Sequence, residues 1–213
     1  MWWVKKNKWP VLTADDIRKH THILVIDDED FVYQKLFQKD GYMVDKWNDV
    51  KDLTKLESGE YDIILLDIQG VGKTISPQDQ GFGILKHIHK KNPAQIVVAY
   101  STADYSLKYQ DFFRMADATL DKNADYVEFK RTVEDLLASK FSAGFYVDRI
   151  LRLAGPHTSN LDRLSELATK GIESGKFDRL ERFVREQVQD KETVRMILQI
   201  VQVALSIITL WKK

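Results

Sequence analysis

The sequence predicts a doubly wound α/β domain built on a five-stranded parallel sheet, followed by an all-helical unit. Three observations carry this. Short apolar runs alternate with segments of helical spacing through the first two thirds of the chain. The runs end in acidic, hydroxyl or lysine residues. Beyond Lys140 the strand signals stop. Successive βα units of this kind form a parallel sheet covered by helices on both faces.

The elements follow in order. His22–Ile26 is a β-branched apolar run ending in Asp27, Asp28, Glu29 and Asp30, which reads as a buried strand. Phe31, Val32, Leu36 and Phe37 then recur at helical spacing until Gly41, where a helix would stop. Residues 42–47 read as strand and 49–56 as helix. Residues 61–66 form a nearly continuous apolar strand that ends at Asp67. After a long loop come a helix over 83–90, a buried strand over 95–100 and an amphipathic helix over 107–115. A short strand over 118–120 and a helix over 126–137 complete the pattern. The expected organisation is an extension over 1–20, the sheet domain over 21–140 and a helical unit over 141–213.

Composition narrows the function classes. Among 213 residues, lysine plus arginine equals aspartate plus glutamate at 32 each, so overall charge does not favour a nucleic-acid partner. The chain has no cysteine, which excludes disulfides, thiolate catalysis and cysteine-ligated zinc, and suits a reducing compartment; the cytoplasm is the default. The first ten residues carry Trp2, Trp3 and Trp9 among Lys5, Lys6 and Lys8 but no apolar run of secretory length. They suit either aromatic packing onto the domain or an interfacial membrane contact.

In a doubly wound sheet, ligands bind outside the carboxyl ends of the strands. Asp27, Asp28 and Asp67 all fall there, with Ser101 and Thr102 at the end of the fourth strand and Lys122 at the end of the fifth. Three carboxylates at one edge repel one another, and a hard cation such as magnesium resolves that repulsion through oxygen ligands. A hydroxyl and an ammonium suit phosphate oxygens, and a carboxylate can attack phosphorus to form an aspartyl phosphate. Helix capping would account for one of the first two acids but not for Asp67 and Lys122 at matching strand ends.

This set resembles the receiver domains of two-component response regulators over roughly residues 21–140. The matching stretches are His22-Ile-Leu-Val-Ile-Asp-Asp-Glu29, Ile63-Ile-Leu-Leu-Asp67, Gln80-Gly-Phe-Gly-Ile-Leu85, Ile96-Val-Val-Ala-Tyr-Ser101 and Ala118-Thr-Leu-Asp-Lys122. The resemblance implies a flavodoxin-like fold, with Asp67 as phospho-acceptor and magnesium ligand. It implies that Asp28 binds magnesium directly, Asp27 mainly through water and Gln69 by its backbone carbonyl. Ser101 matches the hydroxyl that bonds the phosphoryl group, and Lys122 the lysine that pairs with a phosphoryl oxygen. A histidine kinase or phosphotransfer protein is the implied donor, and the chain is then a phospho-acceptor rather than an enzyme acting on other substrates.

The sequence departs from that pattern at several points. Thr119 stands where many receivers carry an aromatic switch residue, Asn123 where proline usually follows the lysine, and Thr102 where a smaller residue is common. The loop 69–80 is longer than usual. It serves either to shape access for a phosphodonor or as a tolerated surface insertion.

Rival chemistries fit less well. Gly72-Lys73-Thr74 has the end of a P-loop, but the earlier glycine that motif requires falls on Asp67. A haloacid-dehalogenase phosphatase would need a second acid where Gln69 stands. His87 and His89 point to different helix faces and read as solvated surface, and His20 and His22 receive no role.

In the helical unit, Leu151, Leu161, Leu164, Leu167, Ile172, Phe177, Leu180, Phe183 and Val184 read as core faces. Arg179, Arg182 and Arg185 interleave with Glu181 and Glu186, as on a solvated face, and no helix-turn-helix is legible. The segment 196–211, from Met196 to Trp211, is apolar nearly all round. At about 1.5 Å per residue it rises about 24 Å, short of a bilayer's roughly 30 Å hydrocarbon core. Burial in the bundle or in a homo-oligomer is one reading, and membrane contact through Trp211 and the terminal lysines the other. Two functions follow: a response regulator whose phosphorylation changes self-association or partner binding, or a non-phosphorylated adaptor of the same fold.

Overall fold

The computed structural model describes residues 9–102 and 110–210. The chain divides into two compact units: residues 13–138, and residues 1–12 with 139–213.

The first unit opens with α1 (Ala14–His20), capped by Thr13 and Asp16 in a reciprocal capping box. Five parallel strands follow: β1 (His22–Ile26), β2 (Met43–Trp47), β3 (Ile63–Asp67), β4 (Ile96–Ser101) and β5 (Ala118–Asp121). Their order is β2-β1-β3-β4-β5, the flavodoxin-like arrangement, and the predicted fold class is the one observed. Between them lie α2 (Gln34–Lys39), α3 (Leu53–Ser58), α4 (Gly81–Lys91) and α5 (Gln110–Met115), with α6 (Tyr126–Lys140) after β5.

Central position explains the apolar runs. Every residue of β3 and β4 is buried, because both faces of these strands are covered. At the sheet's edge, β2 alternates, with Val44 and Trp47 buried and Met43 and Asp45 exposed. Leu24, Ile64, Leu66, Val97 and Ala99 join Ile84, Leu85 and Ile88 of α4 in one core cluster.

Several element bounds shift from expectation. Residues 49–52 are not helical; Asp52 caps α3 through the amides of Thr54 and Lys55, so the helix begins at Leu53. Residues 31–33 form a turn before α2. The fourth helix starts two residues earlier than its apolar pattern, since Gly81 and Phe82 complete its first turn. Residues 107–109 of the helix expected over 107–115 lie outside the described residues.

The second unit comprises α7 (Ala143–Ala154), α8 (Leu161–Ser174), α9 (Asp178–Gln187) and α10 (Lys191–Leu210). Helix α7 packs on α8 and α10, and α9 on α8 and α10. Buried Leu164, Leu167, Ile172, Phe177, Leu180 and Val184 are core positions, as predicted. Leu151 and Phe183 are only half-buried and Leu161 is exposed: Leu161 is the first residue of α8, ahead of the turn that carries the buried face. Trp9 belongs to this unit, where its indole N–H donates to the Phe141 carbonyl at 2.7 Å and its ring lies 5.3 Å from that of Tyr146. Trp2 and Trp3 lie outside the described residues.

Helix α10 is less uniform than its composition suggests. Ile197, Ile200, Val201, Ala204, Ile207 and Ile208 are buried, whereas Gln202, Ser206 and Thr209 are exposed. Arg195, Gln199, Gln202, Ser206 and Thr209 recur at spacings of four, three, four and three, so the few polar residues share one face. By length and composition alone the helix is long and apolar enough to cross a membrane. Its buried stripe and opposed polar face are those of a helix packed in a bundle. Trp211, Lys212 and Lys213 lie outside the described residues.

Candidate functional site

The strand register brings the predicted residues together. Because β1, β3 and β4 run parallel with Ile26 opposite Leu66 and Asp67 opposite Tyr100, the residues just after β1 and at the ends of β3 and β4 meet at one edge. One ligand oxygen from each of Asp27, Asp28 and Asp67 lies within 4.8 Å of the others. Asp27 and Asp67 are buried, and Asp28 is exposed.

Lys122 closes this edge. Its Nζ donates to Asp67 Oδ2 at 2.8 Å and to Asp27 Oδ1 at 3.0 Å, and it lies 3.5 Å from Glu29 Oε2. Lys122 is held in place by its backbone N–H, which donates to the Ser101 carbonyl at 3.2 Å. Ser101 is buried at the end of β4, the residue after Tyr100, which stands opposite Asp67, while Thr102 is exposed. Asn123 donates its backbone and side-chain N–H to Asp121 Oδ1, so that the turn after β5 is stabilised by an aspartate.

Neither Asp27 nor Asp28 caps α2, which begins at Gln34. Asp27 Oδ1 instead accepts the Glu29 N–H at 2.9 Å, a local turn that aims the carboxylate inward. Capping therefore does not explain these acids.

Burial raises the pKa of Asp67 above the usual carboxylate range; the hydrogen bond and charge of Lys122 and the Gln69 amide pull it back, and the charge of Asp27 adds to the rise. For Lys122, burial opposes the charged form, but hydrogen bonds to Asp67 and Asp27 outweigh it and the pKa rises. The two directions agree physically. One ammonium is shared between two carboxylates, so it is strongly held while Asp67 remains only partly compensated.

The loop 69–80 is organised rather than slack. Gly70 N–H donates to Gln80 Oε1 at 3.0 Å, and Ser76 N–H to the Gly72 carbonyl at 2.8 Å. Val71 is fully buried, and Gly81 N–H ties the far end back to the Ile68 carbonyl. Lys73 reaches within 3.9 Å of Asp28 Oδ2.

Two glycines are demanded by the site's tightness. A Cβ on Gly70, whose φ is +87°, would lie 2.1 Å from Asp28 Oδ1, and one on Gly81 would lie 2.0 Å from the Asp67 carbonyl oxygen. Only a bare backbone lets the loop and the start of α4 approach these acids.

Three features were not read from the sequence. Tyr100, buried in β4, donates its hydroxyl to Asp27 Oδ2. A phenol at the end of an otherwise apolar buried strand was the available signal, because a buried hydroxyl needs a partner. His87 is half-buried and pairs with Glu57 at 2.7 Å, not a freely solvated residue. His22, assigned no role, lies 3.1 Å from Asp45 at the opposite end of the sheet.

No protein-family model matches the chain, and no curated protein matches it in sequence. Solved structures are similar in fold. A CheY-like response regulator receiver domain from Methanospirillum hungatei shares 22% identity, covering 56% of this chain and 95% of that one, with a TM-score of 0.48. The response regulator TrrA from Thermotoga maritima, solved with magnesium and a beryllium fluoride, shares 26% identity over 55% of this chain and 98% of its own, with a TM-score of 0.44. The Vibrio cholerae chemotaxis protein CheY4 shares 20% identity over 54% and 97%, with a TM-score of 0.44. Over a little more than half its length, this chain is thus similar to response-regulator receiver domains.

Proposed function

We propose that this chain is a response regulator in which Asp67 accepts a phosphoryl group from a histidine kinase or phosphotransfer protein. The observation that carries this reading is the convergence of Asp27, Asp28 and Asp67 around one edge of the sheet, with Lys122 bonded to two of them. An ordinary structural ion pair needs one acid. Here Asp27 and Asp67 share Lys122, and Asp28 has only the exposed Lys73 at 3.9 Å, which leaves negative charge that a bound cation would neutralise.

The donor set is all oxygen, which fits magnesium: Asp27, Asp28, Asp67 and the Gln69 carbonyl would hold it, and when bound it supplies positive charge at the phosphoryl oxygens. In the transfer, an Asp67 carboxylate oxygen forms a bond to phosphorus as the phosphorus–nitrogen bond of a phosphohistidine breaks. The bonding pair returns to the imidazole nitrogen. The Lys122 ammonium, freed from Asp67 as its charge is spent, pairs with a phosphoryl oxygen, and the Ser101 hydroxyl donates to another. The chain is a phospho-acceptor that turns over only its own phosphate, and a cytoplasmic location suits a donor of this class. The output is altered self-association or partner binding through α7–α10 rather than DNA binding. The exposed arginines Arg179, Arg182 and Arg185 share α9 with Asp178, Glu181 and Glu186, which does not make a phosphate-tracking surface.

Incubation with magnesium and acetyl phosphate is expected to give a single base-labile phosphoryl adduct by intact mass, absent in Asp67→Asn. No adduct, together with no magnesium-dependent beryllofluoride binding, would favour a non-phosphorylated adaptor. Oligomer mass with and without beryllofluoride then reads the output, and an unchanged mass would leave partner binding as its route.

A further inference from the structure

Tyr100 sits where β4 meets the acidic edge, opposite Asp67 in the register. It is 2% exposed. Its ring is held edge-on by Phe31 at 6.3 Å and Phe129 at 6.2 Å, so the phenol has little freedom to turn. From that fixed ring the hydroxyl donates to Asp27 Oδ2, and the Lys122 ammonium lies 5.3 Å from the ring centroid. The tyrosine thus touches both partners of the Asp27–Lys122 pair without being either an acid or a cation.

The bonding around Asp27 gives this contact a specific consequence. An ionised carboxylate offers about four acceptor positions. Among the described residues, Oδ1 accepts from the Glu29 amide and Lys122, and Oδ2 accepts from Tyr100. About one position then remains, on the oxygen that Tyr100 fixes. Without the phenol, Oδ2 would have no donor among the described residues, and the carboxylate could rotate about its Cβ–Cγ bond to share Lys122 differently.

We propose that Tyr100 is a positioning residue for Asp27: its hydroxyl sets the rotation of the Asp27 carboxylate so that one lone pair faces the cation site. This rests on the reading of Asp27, Asp28 and Asp67 as a magnesium site. Tyr100 acts through Asp27 and touches no substrate. A purely structural role, in which the hydroxyl has found the nearest acceptor, makes a different prediction: removing it would lower stability and leave metal affinity unchanged.

The test is magnesium binding to the full chain by isothermal titration calorimetry, for wild type, Tyr100→Phe, Asp27→Asn and the double variant, with thermal unfolding of each in chelator. Phenylalanine keeps the ring and its packing and removes only the hydroxyl. The expected result is about a tenfold weaker magnesium affinity in Tyr100→Phe, the size typical of losing a partner that orients a ligand. In the Asp27→Asn background the same substitution is expected to change affinity less than about twofold, since the residue it positions is already altered. Equal affinity of wild type and Tyr100→Phe overturns the positioning role, whatever happens to stability, and leaves the metal site standing. Equal loss in both backgrounds also overturns it, because the effect would not pass through Asp27. Absence of magnesium binding by wild type overturns the site reading itself and the role of Tyr100 with it.

Discussion

The two ends of one sheet use the same residue types to opposite effect. At the amino end of the strands, acids satisfy neighbours one by one. Asp62 accepts the His22 backbone N–H at 2.9 Å, Asp117 accepts that of Val97 at 2.9 Å, and Asp45 accepts the Tyr61 hydroxyl at 3.0 Å beside His22. At the carboxyl end, Asp27 and Asp67 turn toward one another and compete for a single lysine. The first arrangement ties strand ends and loops together. The second concentrates charge that the fold only partly compensates. Acidic residues at a strand end therefore say little on their own; a functional site is marked by their convergence and by their sharing of one ammonium.

The largest effect is expected at Lys122. Replacing it by methionine leaves two buried carboxylates without their ammonium, and the expected loss is about 3–5 kcal/mol of unfolding free energy by urea denaturation at pH 8. The loss should shrink on acidification, when a proton can take the place of the ammonium. A loss equally large at pH 5 would mean that the lysine acts by packing rather than charge.

A smaller effect is expected at the other end. Tyr61→Phe removes one hydrogen bond to a half-exposed acid and should cost about 1 kcal/mol, without altering magnesium affinity or phosphorylation. The same kind of substitution, Tyr→Phe, is thus expected to move metal binding at Tyr100 and stability alone at Tyr61. If Tyr61→Phe also weakens magnesium binding, the two ends are coupled and the contrast between them fails.

The smallest effect has the opposite sign. The folded-state pKa of Asp67 is raised, chiefly by burial, so the native state holds its proton more tightly than the unfolded chain does. The stability linked to that proton is fully present below the unfolded carboxylate pKa and is lost as pH rises through the higher folded value. At pH 7 the ionised acid is therefore a net cost. Asp67→Asn should be slightly more stable than wild type at pH 7 in metal-free buffer, with the difference narrowing as pH falls toward the unfolded value. A less stable Asp67→Asn at pH 7 would show that its bond to Lys122 outweighs its burial.

Much of the fold was legible because central parallel strands must be apolar on both faces. Runs such as Ile63-Ile-Leu-Leu and Ile96-Val-Val-Ala therefore stand out against the helical spacing around them. Asp67 and Lys122 were legible for the same reason, as polar residues where such runs end. Tyr100 was not: inside a strand, a tyrosine counts as one more large apolar residue, and only the register and the facing strand show what its hydroxyl meets. The bounds of α3 and α4 were lost to local capping by Asp52 and to the close approach of Gly81, neither of which changes hydrophobic periodicity.

Helix α10 shows the division in another form. Composition made it apolar nearly all round, and that remains true of its residue count. The helical turn gathers Arg195, Gln199, Gln202, Ser206 and Thr209 on one side, and packing against α7 and α9 buries the isoleucines opposite. Which segments are strands and helices, their alternation, and the polar residues at strand ends could all be read from the chain alone, because these depend on local periodicity. The tertiary structure decided which of those polar residues share one lysine, which acid Tyr100 holds, and which face of α10 is covered. These depend on distances between segments far apart in the chain, such as the 95 positions separating Asp27 from Lys122.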